Sequence, residues 1–444
     1  MLKDMQSYER PPFVTVDEAP EGDHFAGGLE YNPPARGVWN IVHTGMLIPG
    51  AHQIFVCAQG CLRGVILTAA EMGMLDRLSW VSVSEEDMFD GTLESDVVEG
   101  TAEIIQKLPE RPSEVLLFLC CIHLFAGADF EEIIRELGAR FEDIHFTDCY
   151  MTPTMRKTVS PDAKMRTQLY EGLRACPIDP KSVNIIGCDR PTDESSELVR
   201  IIKENGFVLR DITQAKSYED YQQMAKAAFS VTYLPTAKGA GDRLSERFGS
   251  RNIYIPNRFD PQGIREELSK LCEALGVELP KLDEEEKKAM EALEKARELI
   301  GDTAVAIDFT AVTRPYELAK LLCEKGFNVR YIVNDVLGED VEAFRWLKKN
   351  RPGIKIFSAL NVNMLNAAES AEKSGETVLA VGQKAAFFFA TDNFVNIVAN
   401  GGYYGFSGIK AIAELMCGAF TVPKDRRTVI QHKGIGCYSC VYQD

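Results

Sequence analysis

The sequence predicts an α/β protein of three doubly wound domains built on parallel sheets, and three features of its patterning lead there. Short apolar runs alternate with amphipathic stretches nearly from end to end. The runs lack polar alternation, as strands covered by helices on both faces do. One motif also occurs twice, as NIIGCDRPTDESSELVRIIKENGFVLRDI (Asn184 to Ile212) and VAIDFTAVTRPYELAKLLCEKGFNVRYIV (Val305 to Val333). Each copy reads as strand, loop, helix, glycine turn and strand, the opening of a doubly wound domain.

In chain order, an N-terminal arm over 1–37 precedes a first domain over 38–178. Its strands are HQIFVCA, LSWVSVS and VLLFLCC, and its helices are LRGVILTAAEM, TAEIIQKL and DFEEIIRELGARF. A second domain over 180–280 carries strands SVNIIGC, FSVTYLP and NIYIP and the helix SSELVRIIKENG. The acidic stretch over 281–299 reads as a solvated connecting helix, supported by Glu284/Lys288 and Glu291/Lys295 at i,i+4. The third domain, 300–415, has strands AVAIDFT, NVRYIVN, IKIFSAL and TVLAVGQ with helices PYELAKLLCEKG and VEAFRWLKKNR, and a tail follows over 416–444. Such βαβ alternation makes the domains Rossmann-like. With 444 residues the chain exceeds what one hydrophobic core serves, which agrees with several domains.

Composition excludes some functions. The formal net charge of −17 argues against nucleic acid as a main partner, because phosphate binding needs clustered cations. It permits docking to a basic protein surface. The most apolar stretch, VLLFLCCIHLFAGA (Val115 to Ala128), contains His123 and is shorter than the roughly 18 to 20 residues of a membrane span. No membrane association is expected. The first residues show no basic start followed by an apolar stretch, so no export is expected either. Twelve cysteines without a leader point to a reducing compartment, the cytoplasm. There is no G-x-x-x-x-G-K-[ST] phosphate loop, and no G-x-G-x-x-G follows a strand. The glycine-rich NGGYYGFSG (Asn400 to Gly408) before IKAIAELMCG permits an anion at a helix N-terminus, or simply close domain packing.

The cysteines carry the chemistry. FVCAQGCLRG places Cys57 and Cys61 at a strand end, with a helix expected from Leu62, and VLLFLCC places Cys120 and Cys121 at another. Strand ends of a shared parallel sheet would bring all four thiols together, where thiolates could hold an iron–sulfur cluster near a positive helix end. Cysteine also packs as a small hydrophobe, and spacing alone leaves both readings open. In the tail, Cys437 and Cys440 form a C-x2-C pair with His432 nearby, suited to zinc or a second cluster unless they are bystanders. Cys149, Cys176, Cys188, Cys272, Cys323 and Cys417 stand singly and read as core. His52 and His123 flank the thiol segments and read as buried, hydrogen-bonded residues or proton donors.

AQGCLRG resembles the strand-then-"G-C" turn of nitrogenase component 1 proteins, the molybdenum–iron protein family. Cys121, Gly127 and Asp129 match that family's C-x5-G-x-D segment. VNIIG, TRPYELAKLLCEKGFNV and GGYYGFSGIKAIAEL resemble later family segments, in order, over most of the chain. The family's first cluster cysteine is missing from YNPPARGVWN. Its second-domain cofactor cysteine falls near Tyr233, and DNFVNIVANGG has no counterpart of its cofactor histidine.

The resemblance implies three domains around a central cleft and a nitrogenase-like reductase component. It implies an iron–sulfur cluster, [4Fe–4S] or larger, on Cys61 and Cys121, and the clustering of the four thiols adds Cys57 and Cys120 as candidate ligands. Two cysteines at family positions point to a homodimer sharing one cluster, or to a dimer with a paralogous subunit, while Cys57 and Cys120 could complete a set within one chain. No molybdenum–iron cofactor bound in the nitrogenase manner is implied. The implied partners are an ATP-hydrolysing iron protein and a small-molecule or tetrapyrrole substrate. Arg156, Lys157 and Arg314 are candidate contacts for an anionic substrate, or ordinary surface charges. A scaffold that assembles a metal cluster and hands it on is the alternative function.

Overall fold

The computed structural model describes residues 13–25, 31, 33, 35, 40–152 and 159–431. Strand β1 (Phe13–Thr15) is followed by β2 (Ala51–Cys57), β3 (Leu78–Ser82), β4 (Glu114–Cys120) and β5 (His145–Met151), then by β6 (Asp179–Ile186), β7 (Val208–Asp211), β8 (Ala227–Thr232) and β9 (Arg251–Tyr254). The remaining strands are β10 (Ala304–Asp308), β11 (Asn328–Val333), β12 (Lys355–Phe357), β13 (Val378–Val381) and β14 (Phe394–Val395). They form three sheets, ordered β3-β2-β4-β5, β7-β6-β8-β9 and β1-β12-β11-β10-β13-β14. Among the described residues every pairing of these strands is parallel except β1 on β12, so the arm contributes one antiparallel edge strand to the third sheet.

All ten strand runs read from the sequence lie on strands, and the six helical stretches lie on helices. Burial explains why the runs are continuously apolar. Along β2 and β4, Phe55, Cys57, Phe118 and Cys120 enter one core, while Ile54, Val56, Leu117 and Leu119 enter a second on the opposite face. The third sheet divides likewise, with Val305 and Ile307 on one side and Ala304 and Ala306 on the other. The first of these cores runs through all three domains, which ties them into one body.

The connecting helix, Asp283–Ile300, is less solvated than its charges imply, because Ala289, Leu293, Ala296 and Ile300 are buried along one stripe. Glu284 pairs with Lys288 at 3.7 Å as expected, but the partner of Glu291 is Lys287, at 3.9 Å, rather than Lys295. The final helix, Gly405–Thr421, passes straight through position 415.

Each sheet starts in its interior and winds out to both sides, which creates a switch point where adjacent strands diverge. The three switch points lie between β2 and β4, between β6 and β8, and between β10 and β13. At the opposite edge of the first sheet, Glu114 is fully buried against the second domain. It accepts hydrogen bonds from Thr147 Oγ1 (2.8 Å) and from Tyr218 OH (3.2 Å). Burial pushes its carboxyl up to about 7, against the pull of those two donors and of Arg247, while Glu171 adds to the rise.

A raised carboxyl favours the protonated fold, whereas the unfolded chain gives up the proton near 4.5. Stability from this group is therefore complete below pH 4.5 and declines as pH rises through about 7. At about 1.4 kcal/mol per pH unit the loss totals about 3 kcal/mol. Glu114→Gln is expected to flatten that slope and to raise the denaturation midpoint at pH 8 relative to the parent. Urea titrations of both proteins at pH 5 and pH 8 check this.

Candidate metal centre

The first switch point gathers the four thiols. Cys57 is the last residue of β2 and Cys120 the last of β4, and the neighbouring register Val56↔Leu119 sets them side by side. Both enter the same core, just beyond the stacked rings of Phe55 and Phe118, 4.2 Å apart. The helix Gln59–Glu71 begins three residues before the expected Leu62, so Cys61 sits inside its first turn. Its preceding residue Ala58 offers no side-chain cap, leaving the N–H groups of that turn without a side-chain acceptor. Cys121 opens the short helix Cys121–Ala126. Cys120 therefore terminates its strand, as the strand-end reading expects.

Burial splits the four into two pairs. Cys57 and Cys120 are buried, Cys61 is exposed, and Cys121 is partly exposed. Burial raises the Cys57 thiol far above its ordinary value, and Cys120, Cys61 and Cys121 raise it further, which places all four within electrostatic reach. Burial also raises Cys120. With no cation beside it among the described residues, the inner pair thus favours the neutral thiol. His123 is fully buried, with Nδ1 3.6 Å from Cys120 Sγ, while its Nε2 has no hydrogen-bond partner. His52 is satisfied by Ser79 Oγ at 2.8 Å, as a structural histidine should be.

The rim is open. Gln59, Gly60, Cys61, Arg63 and Gly64 are exposed, as are Leu124 at 46% and Phe125 at 72%. A Cβ placed on Gly60, Gly64 or Gly127 would meet nothing within 4 Å. Among the described residues no three His, Cys, Asp or Glu side chains converge to hold a metal ion.

The other two switch points are filled by the protein itself. In the second sheet Tyr233 is fully buried, with its hydroxyl 3.1 Å from Thr192 Oγ1 and its ring 5.6 Å from that of Tyr404. A Cβ on Gly187 would lie 2.1 Å from the Tyr233 hydroxyl. The tyrosine occupies the space beside the strand end, where the sequence placed a missing cofactor ligand. In the third sheet Asp308 accepts from the N–H groups of Thr310, Ala311 and Ala385. Its carboxylate fills the notch at Gly382, whose φ of +115° is a glycine conformation.

Several expectations need correction. Arg314 is not a surface charge: it is buried and held by Glu339 at 2.9 Å and Asp340 at 3.3 Å, so its charge is spent within the third domain. In the glycine-rich segment the packing reading prevails. Gly402 meets Pro191 O and Gly405 meets Glu197, where any Cβ would collide at 2.2 and 2.3 Å. The helix N-terminus does take an anion, but an internal one, since Glu197 accepts from Ser407 N–H (3.1 Å) and Oγ (3.2 Å). Sequence reading had no means of finding Glu197, which lies 210 residues from its partner.

Cys149, Cys188, Cys272 and Cys323 are buried as core, whereas Cys176 lies in a half-buried loop and Cys417 is half-buried on the last helix. Arg156, Lys157, His432, Cys437 and Cys440 lie outside the described residues.

A sequence model described as nitrogenase component 1 type oxidoreductase matches residues 42–419. No curated protein matches the chain. Among solved structures, "Nitrogenase Cp1 at pH 6.5" superposes with a TM-score of 0.67 at 15% identity, covering 91% of this chain and 96% of the other. "Nitrogenase Cp1 at pH 5" gives 0.57 at 13% identity, covering 95% and 93%. At such identities the likeness establishes the fold, while the match over 42–419 establishes the lineage. The chain belongs to the nitrogenase component 1 type oxidoreductase family.

Proposed function

We propose that this chain is a nitrogenase-like reductase component whose Cys61 and Cys121, from each of two identical copies, hold one iron–sulfur cluster on a twofold axis. The observation that carries this reading is the pairing of two outward thiols with two buried ones at the open switch point of the first sheet. One chain offers two accessible thiols, and a second copy related by symmetry doubles them to four. The exposed Leu124 and Phe125 beside Cys121 provide apolar area for that contact.

A bound iron–sulfur cluster supplies single-electron storage and transfer. The residues around it have separate tasks. Cys61 and Cys121 bind as thiolates, and the uncapped first turn of Gln59–Glu71 favours the negative charge they carry. Cys57, Cys120 and the Phe55–Phe118 pair form a floor that excludes water. Buried His123 contacts that floor through Cys120.

Electrons come from an ATP-hydrolysing iron protein, the partner that membership of this family supports. The substrate is a small molecule or tetrapyrrole. No molybdenum–iron cofactor is held in the nitrogenase manner, a reading supported by the buried Tyr233 at the second switch point.

The test is iron and acid-labile sulfide per chain, with solution mass, on protein purified without oxygen. About two irons per chain in a dimer is the expected result, being one four-iron cluster shared by two copies. Four or more per chain would mean one cluster per subunit. No iron after reconstitution would overturn the redox reading.

A further inference from the structure

We infer that the seam between the first and second domains contains a binding site for an uncharged, planar aromatic or heteroaromatic molecule. A cavity of about 510 Å³ lies there, on the far side of the first domain from the thiols. Its second-domain wall includes Asp189 and Ile212, just beyond the carboxyl ends of β6 and β7, the edge where open α/β sheets receive ligands. Its first-domain wall comes from the chain that enters β2 and β3. The volume is within the range of about 300 to 1,000 Å³ that suits a single small molecule.

The lining chemistry selects the ligand. Met46, Met72 and Met74 all face this one space. Thioethers are polarisable, adapt to irregular outlines and pack well against ring edges. Arg77 lines the same cavity, and each nitrogen of its guanidinium is anchored once: Nε donates to Ala51 O at 3.1 Å, Nη1 to Met46 O at 3.1 Å and Nη2 to Ile48 O at 2.5 Å. Those three bonds leave two of the five N–H groups to donate to a ring heteroatom or ring carbonyl, and the flat face of a guanidinium so anchored stacks on π systems. Net charge on the ligand is disfavoured in either sense. Asp189 is already paired with Arg166 at 2.7 Å, and Glu71 and Arg77 bring opposite charges to the lining, so the wall offers no net charge to offset the burial of an ion. The site is separate from the thiol centre, so it stands or falls independently of the cluster.

The probe is indole, titrated into the full chain labelled with 13C at the methionine methyl groups. Ring currents are expected to shift the methyl signals of Met46, Met72 and Met74 saturably, with half-saturation below about 1 mM. Nuclear Overhauser contacts should connect indole to those three methyls and to none of the other ten methionines. Ala215→Trp, which fills the cavity wall, should weaken binding by more than about tenfold. Unmoved methyl signals at several times about 1 mM would overturn the assignment, as would shifts that survive in a folded Ala215→Trp protein. If that variant does not fold, the Overhauser contacts of the parent decide, and contacts to methionines elsewhere would refute the site.

Discussion

Cys61→Ala and Cys121→Ala are each expected to reduce bound iron from about two atoms per chain to near zero, with the chain still folded. The fold should survive because neither side chain belongs to the core: Cys61 is exposed and Cys121 partly exposed. Losing one ligand from each copy removes two of four from a symmetric site, which is too few to retain a cluster. Cys57→Ala is the informative contrast. Its thiol is fully buried beside Phe55, so the substitution should cost about 1 kcal/mol in lost packing and leave the iron in place. Iron assay, visible absorption and solution mass of the three variants make the comparison. Equal iron loss in Cys57→Ala would assign the inner pair to the cluster as well. Unchanged iron in Cys61→Ala and Cys121→Ala would remove the ligand assignment altogether.

What the sequence disclosed, and what it did not, follows from how locally each feature is encoded. The parallel strands were legible because burial on both faces writes an unbroken apolar run, as in β2 and β4. Strand β5, HFTDCYM, gave no such signal. Its polar residues are satisfied by partners far along the chain, with Thr147 donating to Glu114 and Asp148 accepting from Gln168. β14 has two residues, and β1 pairs with β12 from more than 300 residues away, so neither carries a pattern of its own.

The same distinction governs the site. That Cys57, Cys61, Cys120 and Cys121 share one sheet edge was legible from strand ends. Their division into an outer and an inner pair was not, because it depends on where β4 stops and on a helix that starts at Gln59. Tyr233 looked like a mere absence of cysteine, yet it is a plug, matched to the missing side chain of Gly187. Arg314 looked available because nothing near it in sequence announces Glu339 and Asp340.

Arg166→Leu is expected to produce the largest loss of stability, about 3 to 5 kcal/mol, by stranding two buried carboxylates. Arg166 lies on the helix Pro161–Gln168 and reaches Asp162 on its own helix at 3.1 Å and Asp189 beyond β6 at 2.7 Å. A third bond, to Gly187 O at 2.9 Å, fixes the turn that accommodates Tyr233. Burial opposes the guanidinium charge, but Asp162 and Asp189 outweigh it and hold the group protonated. Burial also raises Asp162 despite the neighbouring cation, so without Arg166 that carboxyl will protonate more readily. The penalty should therefore be larger at pH 8 than at pH 5, where protonation relieves it. Urea denaturation at both pH values measures the loss. The triple variant Arg166→Leu, Asp162→Asn, Asp189→Asn should recover most of it, because the cost lies in the unpaired charges rather than in the missing bonds. Failure of the triple variant to recover would instead place the cost in the lost hydrogen bond to Gly187 and in the turn it fixes.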